Sequence, residues 1–476
     1  MSSISENKSA WLGWFDGIDN EEAIRRLSYR PAPPIQDLGT MHIDDACRHL
    51  NRSWEQLFIA DPQHVKILGT LVRHARAFAD VTFPTIAAYN ALRESNIVPE
   101  ETTQTVLCLT GLSGVSKSSL MEAFVRICQA DQAHSFESPG QTLRILPVVR
   151  VKVDAHASYA DLLRSLANPL VTAGEQRQNL AHLHRHVQDW LLAQATAFVV
   201  SDEMQFLTSS AEASTRTTQL ILSLGKLGFP FLYVANYSLV NKLLRRPHEE
   251  KSRILGRPLV LHPPLADSET WAAAVREYFK VSPESFHSEL HGALQELHRL
   301  TAGLYRSLVH LLLEAYRIAR EQGGMSVKMG DVRRAYRSSA YSSFRRDVED
   351  LASLAVSNLR ADRRPDLICP FPEIDEYSSR DSLEKGIPGP IPKIDLPAAN
   401  VESTLSVGAV KALKEIRQAV EQRAPGKPKA TVTRLPTRTG ISAQSLRAGA
   451  SLVRHGLAVS PASVKPGPDP IPPGPM

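Results

Sequence analysis

Apolar and polar positions follow two different rhythms along this chain, and the change between them divides it. Four short apolar runs rich in β-branched and aromatic residues recur in its first half: TVLCLT at 105–110, LPVVRVKV at 146–153, AFVVS at 197–201 and FPFLYVA at 229–235. Runs of this length, apolar at neighbouring positions, predict strands of a buried sheet. Helical spacing of apolar positions predicts helices between them, over 118–130, 160–170, 180–196 and 217–227. Strands alternating with helices predict a parallel sheet covered on both faces. Beyond Pro264 the rhythm is helical only, over 268–279, 289–300, 305–321 and 329–341.

The fold class expected is therefore α/β: a core of parallel sheet and helices, then a small all-helical lid. Ahead of the core, residues 1–100 read as a helical extension with a proline-rich break at 30–34, and the stretch 64–80 packs on the body. Past about residue 346 the helical pattern weakens. Residues 363–397 are loaded with Pro, Asp, Glu and Ser and read as a linker. Short helical patterns at 409–422 and 442–455 precede PGPDPIPPGPM, which forms neither helix nor sheet. The expected division is extension 1–100, core 101–264, lid 265–346, and a largely disordered, partner-binding tail 347–476.

Composition narrows the class. A chain of 476 residues exceeds one ordinary domain, and 43% hydrophobic with 22% charged residues is the balance of a folded protein. No apolar run reaches the roughly 18 residues of a membrane span. The N-terminal MSSISENKSAWLGW lacks the features of a secretory signal. Cys47, Cys108, Cys128 and Cys369 have no metal-ligand spacing and read as reduced thiols, so a cytoplasmic location is expected. Charge is unevenly placed. Residues 401–476 hold 11 Lys/Arg against 4 Asp/Glu, net +7, leaving −2 for the rest of a chain whose formal charge is +5. A basic tail on a near-neutral body suits an acidic partner, nucleic acid first, or serves solubility alone.

The strongest local motif is Gly111-Leu-Ser-Gly-Val-Ser-Lys-Ser118, after a predicted strand and before a predicted helix. Gly111 and Gly114 let the backbone turn its N–H groups inward to phosphate oxygens, and the helix N-terminus adds its positive end. Lys117 supplies the cation for the β- and γ-phosphates, Ser118 a hydroxyl for Mg²⁺, and Ser116 and Ser119 complete the nucleotide-binding set. Ser116 stands where the motif expects glycine. If that position requires positive φ, a serine there costs about 1–2 kcal/mol.

The run at 198–203, FVVSDE, is a strand ending in two carboxylates. Asp202 suits a metal role beside Ser118, because a hard cation takes oxygen ligands, and Glu203 suits a general base toward water. Asn236 ends the next strand, where an asparagine often starts a turn. The segment SRILGR at 252–257 resembles one that carries an arginine finger into a neighbouring subunit's site, as Arg253 or Arg257, with Arg245 and Arg246 outside candidates and an ordinary surface arginine the plainer reading of each. Arg306 falls in the first turn of a lid helix. A cation there opposes the helix dipole unless an anion lies near.

Together, LTGLSGVSKSSL, AFVVSDEMQFL, FPFLYVANYSLV and TAGLYRSLVHLLLEAYRIAR resemble the AAA+ superfamily, and more narrowly the TnsC/TniB transposition regulators. The resemblance spans about 105–341. It implies an AAA+ P-loop core that binds and hydrolyses ATP with Mg²⁺, slowly given Ser116. It also implies a homo-oligomer, ring or filament, on double-stranded DNA, recruited by a target-selector protein and handing over to transposase subunits. Asn236 then matches the first sensor, Arg253 a catalytic finger beside Glu203, and Arg306 the second sensor. Basic residues eligible for DNA are Arg150, Lys152, Arg216, Lys226, the stretch 333–346, and Lys427 and Lys429. Two alternatives carry different functions: a nucleotide-sensing interaction scaffold with little hydrolysis, and an initiator-type AAA+ loader.

Overall fold

The computed structural model describes residues 15, 17–18, 20–95, 106–129, 135–138, 141–153, 158–166, 179–204, 213–286, 290, 292–356 and 364–371. Five strands, β1 (Leu107–Gly111), β4 (Val148–Lys152), β5 (Phe198–Asp202), β6 (Phe231–Asn236) and β7 (Pro258–Leu261), form one sheet in the order β4-β5-β6-β1-β7. Every pairing in it is parallel. β1 and β5 are buried at every position, as strands covered on both faces must be. β2 (Ser135–Ser138) and β3 (Gln141–Arg144) make a separate antiparallel hairpin.

The sheet register sets the site. Gly111 lies level with Asn236 on β6 and with Leu261 on β7, and Asp202 lies level with Lys152 on β4. The motif residues thus share the carboxyl edge of the sheet, the edge where open α/β sheets bind ligands.

Helices α5 (Lys117–Gln129), α6 (Tyr159–Leu166), α7 (Leu180–Ala193), α8 (Ala213–Gly225), α9 (Tyr237–Leu243) and α10 (His248–Ile254) alternate with the strands. The lid follows as α11 (Glu269–Phe279), α12 (Leu294–Thr301), α13 (Tyr305–Glu321) and α14 (Met329–Arg337). Its apolar faces close on a second core that includes Trp271, Phe279, Leu308, Leu312 and Tyr316.

The helices ahead of the sheet are α1 (Glu21–Ser28), α2 (Ile43–Trp54), α3 (Pro62–Thr82) and α4 (Ile86–Ser95). They divide between the two cores. Ile24 of α1 and Leu68, Leu71 and Val72 of α3 join the sheet's core, whereas Ala46, Leu50 and Trp54 of α2 join the lid's. Trp54 carries this second junction. Its ring is fully buried against Tyr278 and Phe286, and its indole Nε1–H donates to the Tyr278 carbonyl at 2.8 Å. The extension therefore straps core to lid.

Four features depart from the expected pattern. The β2–β3 hairpin and β7 were not foreseen; β7 is short and starts with proline, tolerable only because it is an edge strand. The helical pattern does not fade at 346, because α15 (Ser342–Val356) continues it, with Phe344 and Leu351 packing on the lid and sheet cores. Part of the expected linker docks on the body. Arg364 binds Asp347, Asp350 and Asp366, and Leu367, Cys369 and Phe371 lie against the sheet's core. The expected tail beyond 371, with Lys427 and Lys429, lies outside the described residues, as do 1–14, the run 205–207 after the DE pair, and the end of the helix expected at 160–170. Among the described residues no helix is long and apolar enough to cross a membrane. Cys47, Cys108 and Cys128 are buried free thiols and Cys369 is half-buried.

Trp54→Ala removes a large buried side chain from the extension–lid junction and is expected to lower stability by about 3–5 kcal/mol, read by equilibrium urea unfolding.

Candidate nucleotide site

The loop after β1 has the backbone that a phosphate cradle needs. Gly114 sits at φ 84, and a Cβ there would come within 2.9 Å of the Arg306 Cβ. Gly111 is held for another reason: a Cβ would meet the Leu261 carbonyl of β7 at 2.5 Å. Its glycine serves close strand approach and not the turn assigned to it from sequence. Ser116 stands at φ 80, the left-handed conformation in which any side chain is strained.

Lys117 opens α5, and its Nζ donates to the carbonyls of Gly111 (2.9 Å) and Leu112 (2.8 Å). Burial, with the neighbouring Arg306 charge, depresses its pKa from 10.5 to about 8, against the opposing pull of Glu203 and Asp202. The sign follows directly. The cost of burying the ammonium is fully present below pH about 8 and is relieved as pH rises toward 10.5. An anion placed here would hold the proton on. Ser118 and Ser119 follow on α5, both half-buried.

Arg306 reaches the loop from the lid. Its backbone N–H donates to the Gly114 carbonyl at 3.3 Å, and its Nη1 donates to the Ser113 Oγ at 3.1 Å. The second-sensor candidate and the phosphate loop, separated by most of the core in sequence, thus meet in space.

Asp202 is 1% exposed, and both its oxygens are engaged. Oδ2 accepts from Arg150 Nη2 at 2.5 Å, and Oδ1 accepts from the Glu203 N–H at 2.9 Å. Arg150, on β4, also bonds Glu122 at 3.1 Å. Its side chain is only 11% exposed, so it is a buried counter-ion and not the DNA-facing cation its strand position suggested from sequence. Glu203 follows at φ 64, a second non-glycine residue forced into the left-handed region at this edge. Asn236 N-caps α9, accepting from Leu239 N and from the Ser238 hydroxyl at 2.8 Å, level with Gly111 across the ladder.

Arg253 and Arg257 are exposed and not part of this cluster. Arg246 is bound to Glu250 and Thr215. Of the other basic candidates, Lys152, Arg216 and Lys226 are exposed, while Arg333, Arg334 and Arg345 pair with Glu296, Asp331 and Glu349.

Three contributors were not foreseen from sequence: Arg150 as a counter-ion, Asp61 and His64. Asp61 N-caps α3 and His64 sits three residues on, in a reciprocal capping box with Pro62 at the first helical position. The D-P-x-H order is a legible helix start. His64 Nε2 lies 2.8 Å from the Ser116 Oγ, a contact across 52 residues that no local pattern announces. Beside this point a cavity of about 990 Å³ is walled by Ile59, Ala60, Asp61, Ala273, Ala274 and Tyr305, among others.

Residues 100–243, which hold the phosphate loop, the DE pair and Asn236, match the family model of an AAA domain. With the five-stranded parallel sheet, this gives the core the α/β fold of an AAA+ P-loop domain. No curated protein matches the chain. Among solved structures it is similar to Aeropyrum pernix ORC2 in ADPNP–ADP complexes, at 17% identity and TM-score 0.38, covering 56% of this chain and 67% of that one. It is also similar to Aeropyrum pernix ORC1 in complex with DNA, at 16% and 0.36, covering 74% and 82%. Domain III of the Thermotoga maritima replication initiation protein DnaA gives 14% and 0.32, covering 52% and 89%.

Arg150→Met leaves the Asp202 carboxylate buried without its cation and is expected to lower stability by about 3–5 kcal/mol. Adding Asp202→Asn should recover most of that loss. Urea unfolding of the two variants checks both, and equal losses would mean that the pair is not what Arg150 provides.

Proposed function

We propose that this chain is an ATP-switched regulator that assembles on duplex DNA and couples a target-selecting protein to a transposase. The observation that carries the nucleotide part is the meeting of Lys117 and Arg306 at one loop, with Asp202 and Glu203 close enough to act on the lysine's charge. The loop's N–H groups and the start of α5 cradle phosphates. Lys117 and Arg306 neutralise them, and Arg306 carries nucleotide state to the lid through its seat on Gly114. The base is assigned to the cavity beside Asp61, where Ile59, Ala60 and Tyr305 offer it an apolar wall among charged residues such as Arg25, Arg26 and Glu269.

The residues fit Mg²⁺. The Ser118 hydroxyl stands half-buried on the first turn of α5, and each Asp202 oxygen keeps a second lone pair for a water-mediated contact. Bound there, the ion would neutralise charge on the β- and γ-phosphates. Glu203 holds a carboxylate at the strand tip as base toward water, and Asn236 lies level with the loop's first residue. Arg253, exposed on α10, suits a finger offered to a neighbouring copy.

The transposition reading rests on the phrases around these residues, above all the DE-x-Q-x-L run at 202–207 and G-x-x-R-x-L-x-x-L-L of α13. DNA contact falls to the exposed Lys152, Arg216 and Lys226 and to the basic tail. A second reading, the sensing scaffold with little hydrolysis, is favoured by one observation: Asp202 already carries a cation, Arg150, where brisk turnover calls for a free carboxylate.

Lys117→Ala is expected to abolish ATP binding and ATP-dependent assembly, whereas Glu203→Gln keeps binding and slows hydrolysis by about 10²–10⁴-fold. Equilibrium binding of a fluorescent ATP analogue and phosphate release separate the two. Negative-stain imaging with duplex DNA, with and without ATP, distinguishes the readings, since the regulator forms rings or filaments only with both and the scaffold looks alike in either state. ATP binding at pH 9 should take up a proton on Lys117 and weaken as pH rises past about 8. Calorimetry in two buffers of different ionisation enthalpy reads that uptake, and none at pH 9 would remove Lys117 from the phosphates.

A further inference from the structure

The serine in place of glycine poses two physical problems, a strained backbone and a side chain beside the path of the phosphates. The structure answers the second with a chain of buried polar groups. The Ser116 hydroxyl lies within hydrogen-bond reach of the Val115 carbonyl and of His64 Nε2, the latter at 2.8 Å. His64 is 2% exposed, and its Nδ1 lies 2.9 Å from Asp61 Oδ1. Asp61 is itself 8% exposed and accepts the His64 N–H at 2.7 Å. Burial works against its charge, yet the His64 contacts hold its carboxyl below the usual range.

This first turn of α3 is fixed on three sides. Gln63 accepts the His262 N–H at 3.1 Å just past β7, the Phe58 ring packs edge-on against the His64 ring at 5.4 Å, and Arg30 and Phe58 pair through their backbones. A ring so constrained cannot follow Ser116; Ser116 must come to it.

We infer that His64 is a positioning residue for the phosphate loop, holding the Ser116 hydroxyl back from the anion and making serine workable where glycine is expected. The inference rests on the nucleotide-site reading above. It makes the extension part of the site, because the helix that Asp61 caps decides where the loop's side chain goes. A histidine that merely packed would be indifferent to residue 116. A histidine that manages the Ser116 side chain becomes dispensable when that side chain is removed.

A double-mutant cycle tests it, with binding of a fluorescent ATP analogue and thermal melting measured on the full chain for each variant. His64→Ala is expected to weaken binding by about tenfold, and His64→Gln, which keeps a donor, to recover part of it. Ser116→Gly should bind at least as tightly as the parent, and His64→Ala in that background should bind within about twofold of Ser116→Gly alone. Equal weakening in both backgrounds overturns the proposal, as does no weakening in either. If His64→Ala does not fold, Asp61→Asn replaces it in the same cycle with the same expectations. A parent chain that binds no analogue, with Lys117→Ala indistinguishable from it, overturns the nucleotide reading and the proposal together. Parent binding that depends on Lys117, combined with additive losses in the cycle, overturns the positioning role alone.

Discussion

The carboxyl edge of this sheet is governed by one conformational demand: the turn from β1 into α5 takes residues 114 and 116 into the left-handed region. Glycine meets the demand freely at 114. At 116 a serine meets it at a cost of about 1–2 kcal/mol, which the surrounding structure must offset. The offset explains much of what lies nearby. Arg306 closes on Gly114 at a distance that tolerates no Cβ, His64 takes the Ser116 hydroxyl, and the capping box of α3 fixes His64. Lid, loop and extension are thereby joined at residues 114 and 116.

Charge is arranged with the same economy of space. Three cations, Lys117, the exposed Arg306 and the largely buried Arg150, stand near the Asp202 and Glu203 carboxylates. Arg150 is committed to Asp202, so Lys117 is left facing Arg306 and burial without a full counter-charge, and its ammonium is depressed accordingly. The pairing of Asp202 with Arg150 also bears on the proposed function in physical terms: a carboxylate proposed to act in hydrolysis is already held by a protein cation.

The described fold and most of the candidate site were legible in one dimension because they are local. A buried strand ending at glycine, a loop ending in Lys-Ser, and a strand ending in DE each announce themselves within a few residues, and parallel register aligns their ends. Short or amphipathic elements escaped: β7 is four residues long and opens with proline, and α15 hides its apolar positions among charges. Charge by itself also misled, since a basic residue on a strand reads alike whether it faces solvent or, as Arg150 does, a buried aspartate.

The sequence alone determined the longer alternating strands and helices, the candidate loop and DE pair, and the oddity of Ser116, because each depends on neighbours along the chain. Tertiary structure alone decided that the extension straps core to lid through Trp54, that Arg150 neutralises Asp202, and that His64 meets Ser116. Those contacts join residues 224, 52 and 52 positions apart. Whether such residues touch is set by how helices pack on the sheet, and packing answers to the sum of many buried faces, which no single stretch of sequence contains.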